Sequence, residues 1–384
     1  LAGVKQVTTV FALLKAKLGS YSPSAMASVT GVNAGLIATI AREFAATKPG
    51  RIIEGAGTNH YYHNDLINRA QILLVALTGN VGKPGGGFDH YVGQEKIWPE
   101  HGFISLAYPL TTAKQRFQNT TLWTYVHAGV TSDVDSILPR TLTQYISESV
   151  NNGWMPLYPE GTLTNGKTPK VMIIWGANYI NQAKGFEKVV DTLLPKLDLI
   201  VDVNYRMDTS AFYADVVLPA ASFYEKWDLN STDLHSYIHP FTPAIPPLYE
   251  SKTDWQIWQA LAEALQNTGF SYTDSKYGIT RDFKTMVANF TNNGAIAADK
   301  AACQYLLDHA EETAGVTMDQ INTQPHRFTQ TSEVWTSDVK PGVAYYGFQR
   351  MTEHLRPLRT LTGRQQFYVD HDWFLEMGEQ LPVY

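Results

Sequence analysis

Apolar residues recur at helical spacing over residues 7–18 and 34–44, and each run predicts a helix. Between them Pro23 can open a short helix. Residues 51–53 lead an apolar strand that ends in Gly55-Ala56-Gly57, and residues 66–77 predict a helix that is amphipathic at first and then apolar. Helix, strand, loop and helix in this order describe an α/β lobe. The texture changes over 79–166, where Pro, Gly, Tyr and Trp are scattered and helical spacing returns only near 134–150. Long irregular segments of this kind serve as functional walls more often than as linkers. Order resumes with VMIIW at 171–175, followed by Gly176-Ala177-Asn178. A helix over 183–194, a strand over 199–203 and a short strand over 215–219 complete a pattern that predicts a parallel, doubly wound sheet.

Residues 254–265 predict an amphipathic helix whose stripe of Trp255, Trp258, Leu261 and Leu265 is assigned to the core. Helices near 283–290 and 297–311 follow, and the stretch from 330 is mixed, with strand-like runs at 343–348 and 367–370. The expected organisation is therefore α/β lobes of Rossmann-like type with irregular aromatic-rich segments and added helices. Residues 1–95 form part of a first lobe, 96–270 a second lobe, and 271–384 a mixed α+β segment.

Composition narrows the partners. A chain of 384 residues is long for one core. A net charge of -6 argues against a nucleic-acid partner. No apolar run reaches the roughly 18 residues of a membrane span. The single cysteine, Cys303, excludes a disulfide framework and a cysteine-ligated cluster made within this chain, and it reads as a buried small hydrophobe. The chain begins at Leu1 without a signal segment and reads as a piece of something longer.

Candidate chemistry concentrates in three places. Residues 58–96 combine a strand exit, His60 and His63, an apolar helix and the glycines 79, 82, 85, 86 and 87. Glycine costs folding entropy, so this density implies a backbone that a ligand approaches closely. On that reading a side chain at Gly86 would block the ligand more than it would disturb the fold. The strand ends at 55–60, 176–178 and 202–208 carry small or polar residues, where α/β sheets place ligands. No G-x-G-x-x-G follows a strand, which disfavours a plain nicotinamide dehydrogenase. The spacing of His60 and His63 allows a metal or a structural role, and no third ligand is placed by sequence. The polar run YEKWDLNSTDLHSYIHP, with Glu225, Lys226, Asp228, Asn230, Asp233, His235 and His239, is expected to line a site. Its interleaved Trp227, Tyr237 and Ile238 suggest partial burial, and buried charges need partners.

Several motifs together resemble the molybdenum enzymes of the dimethyl-sulfoxide-reductase superfamily. They are NHYYHND, LTGNVGKPGGG followed by HYVGQEK, the strand end WGAN, RMDTSAFYADVVLPA, YEKWDLN, ESKTDW and LTGRQQFY. In these forms the chain is most similar to the branch holding respiratory nitrate reductase catalytic subunits, nitrite oxidoreductase, and the perchlorate, chlorate, selenate, dimethyl-sulfide and ethylbenzene enzymes.

The resemblance implies a bis(molybdopterin guanine dinucleotide) cofactor with molybdenum, and oxygen-atom transfer on nitrate or nitrite. It places Gly82, Gly85, Gly86, Gly87 and Gln94 along the pterin, with Asn59, His60 and His63 near its edge. It gives Trp175, Gly176, Asn178, Asn204, Arg206 and Asp208 to a guanosine diphosphate, and Lys226, Asp228, Asn230, Asp233 and His235 to a substrate funnel. Many relatives have aspartate at the position of Asn204. Val92 stands where formate dehydrogenases have arginine, which argues against formate. No metal ligand is named within this chain. A 4Fe–4S cluster and the aspartate ligand to molybdenum belong to family segments outside it, as does the lobe that closes over both dinucleotides. The isolated fragment is accordingly expected to be inactive. The implied partners are an iron–sulfur electron-transfer subunit, a haem subunit in some relatives, and a small oxyanion, in a prokaryotic membrane-associated respiratory complex. The alternatives are a related enzyme acting on chlorate or perchlorate, selenate, dimethyl sulfide or a hydrocarbon, and a non-catalytic nucleotide-binding scaffold.

Overall fold

The computed structural model describes residues 3, 6–55, 57–58, 61, 63–90, 134–152, 154, 170–183, 185–230, 237–273, 280–282, 284, 287–288, 291–310, 313–327 and 347–383. The chain divides into two compact units: Leu1–Gly93 with Thr329–Tyr384, and Gln94–Phe328. The expected boundary at 95 lies beside this division, and the expected segment 271–384 is shared between the two units.

In the first unit α1 (Val10–Leu18), α2 (Pro23–Thr30) and α3 (Ala34–Ala46) start where their caps dictate. Thr9, Ser22 and Asn33 each accept a backbone N–H with the side chain, which satisfies a donor that the first turn leaves open. Gly31 closes α2 in the left-handed region at φ 72°. Strand β1 (Arg51–Glu54) leads to α4 (Asn64–Leu77), and the chain returns through the glycine loop into β2 (Gly87–His90). β1 and β2 are parallel, with Arg51 opposite Gly87 and Glu54 opposite His90. Leu14 and Leu73 pack with Leu381 and Val383 from the other end of the chain. The expected strand at 367–370 is extended but joins no sheet; Val369 instead donates its N–H to the Gln380 carbonyl at 2.9 Å. The run 343–348 lies almost wholly outside the described residues.

The second unit holds α5 (Leu142–Asn151) and then the expected parallel sheet. Strands β3 (Val171–Trp175), β4 (Leu199–Asn204) and β5 (Val216–Pro219) run in the order β3-β4-β5. Side chains alternate across β4. Ile200 faces a cluster with Ile174, Ile180, Val189 and Leu193, while Val201 and Val203 face Ala220 and Ile257. The central strand β4 is thus buried on both faces, as its apolar run requires, while Val171, Ile173 and Trp175 leave one face of β3 exposed.

One expected element differs. Residues 183–194 do not form one regular helix. After α6 (Tyr179–Gln182), Gly185 turns left-handed at φ 69°, and Phe186–Lys188, Val189–Leu193 and Leu194–Lys196 follow as α, π and 3-10 turns. Gly185 starts the helical run late, and Pro195 sits in the 3-10 turn that closes it.

β4 is followed by α7 (Thr209–Tyr213). The polar run then folds into β6 (Asp228–Asn230), paired antiparallel with β7 (Tyr237–Phe241). The helix α8 (Asp254–Gln266) opens on a capping box between Thr253 and Gln256. Its expected stripe is shifted: Ile257 is the buried residue, Trp255 and Trp258 are half-buried, and Leu265 is 42% exposed. A hairpin of β8 (Ser271–Thr273) and β9 (Thr280–Asp282) follows, then α9 (Asp299–Asp308), α10 (Met318–Thr323) and β10 (His326–Arg327). Cys303 on α9 is buried against Ile238, Leu307, Met318 and Ile321, as its reading as a small hydrophobe expects. Among the described residues no single helix is long and apolar enough to cross a membrane.

Candidate functional site

The glycine loop of the first unit is organised by Asn80, which is 1% exposed. Asn80 accepts the Gly50 N–H with its Oδ1 at 2.9 Å and donates Nδ2 to Thr78 Oγ1 at 2.8 Å. The glycines answer to this packing. A Cβ at Gly86 would stand 2.6 Å from the Asn80 carbonyl, one at Gly82 would stand 2.0 Å from Thr352 Oγ1, and one at Gly85 would stand 3.0 Å from Pro49. This corrects the expectation that ligand approach alone explains these residues: at 82, 85 and 86 the protein's own atoms occupy the space. Gly79 and Gly87 differ in having open space around the missing Cβ; positive φ they share with Gly82 and Gly85.

His63 opens α4 in the left-handed region at φ 60°, and its ring nitrogen Nδ1 bonds Glu379 Oε1. Arg69, one turn and a half along α4, donates to the Glu379 carbonyl at 2.6 Å and to the Gln380 carbonyl at 3.1 Å. It also pairs with Asp65 at 3.1 Å. Of the candidates in this unit, Asn59 and His60 lie outside the described residues, and so does Gln94 of the neighbouring segment.

In the second unit the parallel strands end side by side, and this gathers all six candidates at one edge. Trp175 ends β3, Gly176 follows at φ 63° with open space around its missing Cβ, and Asn204 ends β4. Asn178 Oδ1 accepts from the Ser210 N–H at 3.2 Å and the Ser210 hydroxyl at 3.1 Å. Asn204 donates Nδ2 to Asp208 Oδ2 at 2.9 Å, and Asp208 Oδ1 caps α7 by accepting the Ala211 N–H at 3.1 Å. Arg206 is exposed, its guanidinium 5.0 Å from the Tyr205 ring centroid.

Beneath this edge lies Asp202, fully buried, with neither carboxylate oxygen hydrogen-bonded among the described residues. Burial, and then the charge of Asp208, push its pKa up to about 6.

The polar run is partly buried and largely spent on pairing. Lys226 bonds Asp254 Oδ2 and lies 3.4 Å from Asp228. Burial works against its charge, but the two carboxylates outweigh it and hold the ammonium above the usual lysine range. The second oxygen of Asp254 accepts the indole N–H of Trp175 at 2.6 Å. Asp299 accepts the Thr253 hydroxyl at 2.7 Å and is raised by burial. Glu225 is buried and held below the usual carboxylate range, first by the Ser222 N–H and also by the Leu248 N–H. Asp228 and Asn230 are half-buried on β6, while Asp233 and His235 lie outside the described residues. His239, on β7, lines an open cleft of about 480 Å³ with Phe223, Tyr224 and Asn322.

Sequence reasoning missed Asn80, Arg69, Glu379 and Asp254, and it placed Asp202 at the strand end 202–208 without singling it out as a buried carboxylate. Asp254 and Asn80 stood within quoted motifs, yet nothing in a one-dimensional pattern says which atoms they meet. Arg69 and Glu379 are 310 positions apart in sequence, measured at their hydrogen bond.

A strand edge with Asn178, Asn204, Asp208, an arginine and a glycine with open space beside it is chemistry suited to a nucleotide. The molybdopterin oxidoreductase family model matches residues 21–264, and the chain belongs to that family. It is 46% identical to the respiratory nitrate reductase subunit alpha of Haloferax mediterranei over 402 aligned residues, covering 100% of this chain and 40% of the relative. It is 45% identical to the perchlorate reductase subunit alpha of Dechloromonas aromatica, over 99% of this chain and 41% of that protein. It is 30% identical to the dimethylsulfide dehydrogenase subunit alpha of Rhodovulum sulfidophilum, over 98% of this chain and 42% of that protein. The fold also matches acetylene hydratase from Pelobacter acetylenicus, with a TM-score of 0.53 at 15% identity, over 97% of this chain and 46% of that one. The chain thus spans about two fifths of the length of these curated relatives.

Proposed function

We propose that this chain is the central part of the catalytic subunit of a molybdenum oxidoreductase that moves an oxygen atom to or from nitrate and nitrite. The observation that carries the reading is the 46% identity to a respiratory nitrate reductase subunit alpha along the whole of this chain. The residues present suit a pterin dinucleotide. The β3–β4 edge offers Asn178, Asn204 and Asp208 to a base and ribose, Arg206 to a phosphate, and open space above Gly176. In the first unit Gly87 and His63, with Asn59, His60 and Gln94, would border the pterin.

When bound, the molybdenum–pterin group supplies the redox chemistry; the protein supplies orientation and electrostatics. The chain's own contribution is to hold that group. Hydrogen-bonded side chains at the strand edge need little rearrangement to receive it, which favours binding. Electrons would pass through a 4Fe–4S cluster to an iron–sulfur subunit, with a haem subunit as a further partner in a membrane-associated complex. Lys226, Asp228, Asn230, Asp233 and His235 would lie on the substrate side.

A second reading, reduction of perchlorate or chlorate, is favoured by the 45% identity to a perchlorate reductase subunit alpha. Purified full-length protein with its partner subunits tests both. Metal and pterin analysis should find molybdenum with guanine dinucleotide, and viologen-driven turnover should be fastest with nitrate. Faster turnover of perchlorate would select the second reading, and a stable complex without molybdenum would sink both.

A further inference from the structure

His63 is a residue with a Cβ held at φ 60° and ψ 28°. Such a conformation is disfavoured for a residue with a Cβ and persists where the surroundings over-determine it. The surroundings here are specific. Glu379 is 7% exposed, so its carboxylate needs a partner, and that partner is Nδ1 of His63. The backbone that carries Glu379 is pinned to α4 by the two Arg69 hydrogen bonds at 2.6 and 3.1 Å. The Glu379 N–H closes the preceding turn on the Phe374 carbonyl at 2.8 Å, and Arg69 lies 5.5 Å from the Phe374 ring centroid. The helix that His63 opens thus fixes the carboxylate that His63 faces.

We propose that Glu379 is a positioning residue for His63. An ionised carboxylate only accepts, so Nδ1 must carry the proton. That choice sets the tautomer and the plane of the ring, and with them what Nε2 offers. The proposal rests on the reading of the histidine motif as a border of the pterin. In that place the ring's hydrogen bonding acts on the cofactor, and Glu379 acts on the cofactor through the ring.

The test uses the full-length protein with its partner subunits, cofactor-free and loaded, in four variants: Glu379→Gln, Glu379→Asp, His63→Ala and the double Glu379→Gln/His63→Ala. In the cofactor-free protein, unfolding midpoints should be non-additive, with the double variant no less stable than the worse single one. In the loaded protein, Glu379→Gln should keep most of its pterin. It should shift the molybdenum midpoint potential and the Mo(V) resonance in the same sense as His63→Ala, and Glu379→Asp should restore part of the shift. In the His63→Ala background Glu379→Gln should add nothing. Additive midpoints, or an equal shift in the His63→Ala background, would overturn the proposal while leaving the pterin reading intact. If the midpoints couple but His63→Ala leaves pterin content, resonance and potential untouched, the pterin reading fails and takes the positioning role with it.

Discussion

The indole N–H of Trp175 donates to Asp254 Oδ1 at 2.6 Å. The other oxygen of the same carboxylate takes Lys226. One side chain at the start of α8 thereby joins the strand end WGAN (175–178) to the polar run YEKWDLN (224–230).

Replacing Asp254 by Ala should cost about 1–3 kcal/mol, because it leaves a largely buried ammonium with only the more distant Asp228 and takes the acceptor from the Trp175 indole. Asp254→Asn keeps an acceptor for the indole and should cost about half as much. Urea titrations of the two variants check the order; equal costs would mean that the indole bond contributes nothing.

Asn80→Ala should destabilise by about 2–3 kcal/mol, since it leaves the Gly50 N–H without its acceptor in a buried place. Gly86→Val should be at least as damaging, because its Cβ would stand 2.6 Å from the Asn80 carbonyl. Both variants should unfold earlier even without cofactor. A Gly86→Val protein of unchanged thermal stability that lost only pterin would restore the ligand-approach explanation.

Asp202 gives a pH dependence with a definite sign. Its folded pKa of about 6 lies above the ordinary 3.8, so the folded chain keeps a proton that the unfolded chain releases. Its contribution is therefore best at low pH and declines as pH rises from about 4 to about 6, reaching a deficit of up to about 3 kcal/mol above that window. Asp202→Asn has no such charge to bury. It should be more stable than the parent at pH 7.5, with the difference shrinking toward pH 4. A difference that is flat with pH would rule out the buried carboxylate as its source.

Cys303 is the chain's single thiol, and burial pushes its pKa up to about 12. A disulfide reagent at pH 8 should label it slowly in the native protein and at one equivalent per chain on unfolding. Rapid native labelling would contradict its place between α9 and α10.

What the sequence disclosed follows from period and punctuation. The strands at 171–175 and 199–203 are apolar on both faces, and their glycine or polar exits marked the edge where Gly176, Asn204 and Asp208 meet. Asp202 was marked as part of a polar strand end, but its full burial was not legible, because a lone polar letter in LIVDVN does not say which way it faces. The turns after Gly185 were merged into one helix because a π turn keeps an apolar face much as an α turn does. β6 has three residues, too few to show a period. The Glu379–His63 pair could not be read at all, since its partners are separated by 316 positions and no local rule links them.

The first unit has a consequence for synthesis. It is built from Leu1–Gly93 and Thr329–Tyr384, with Gln94–Phe328 inserted between. The glycine loop waits for Thr352 to reach Gly82, and α4 waits for Glu379 and Gln380. At about 5–20 residues per second a ribosome takes on the order of tens of seconds to make the insert. During that interval the early segment has its helices and its β1–β2 ladder but none of the late contacts, while the inserted unit can already fold. The nascent first unit is thus the part of this chain that a chaperone would be called on to shield.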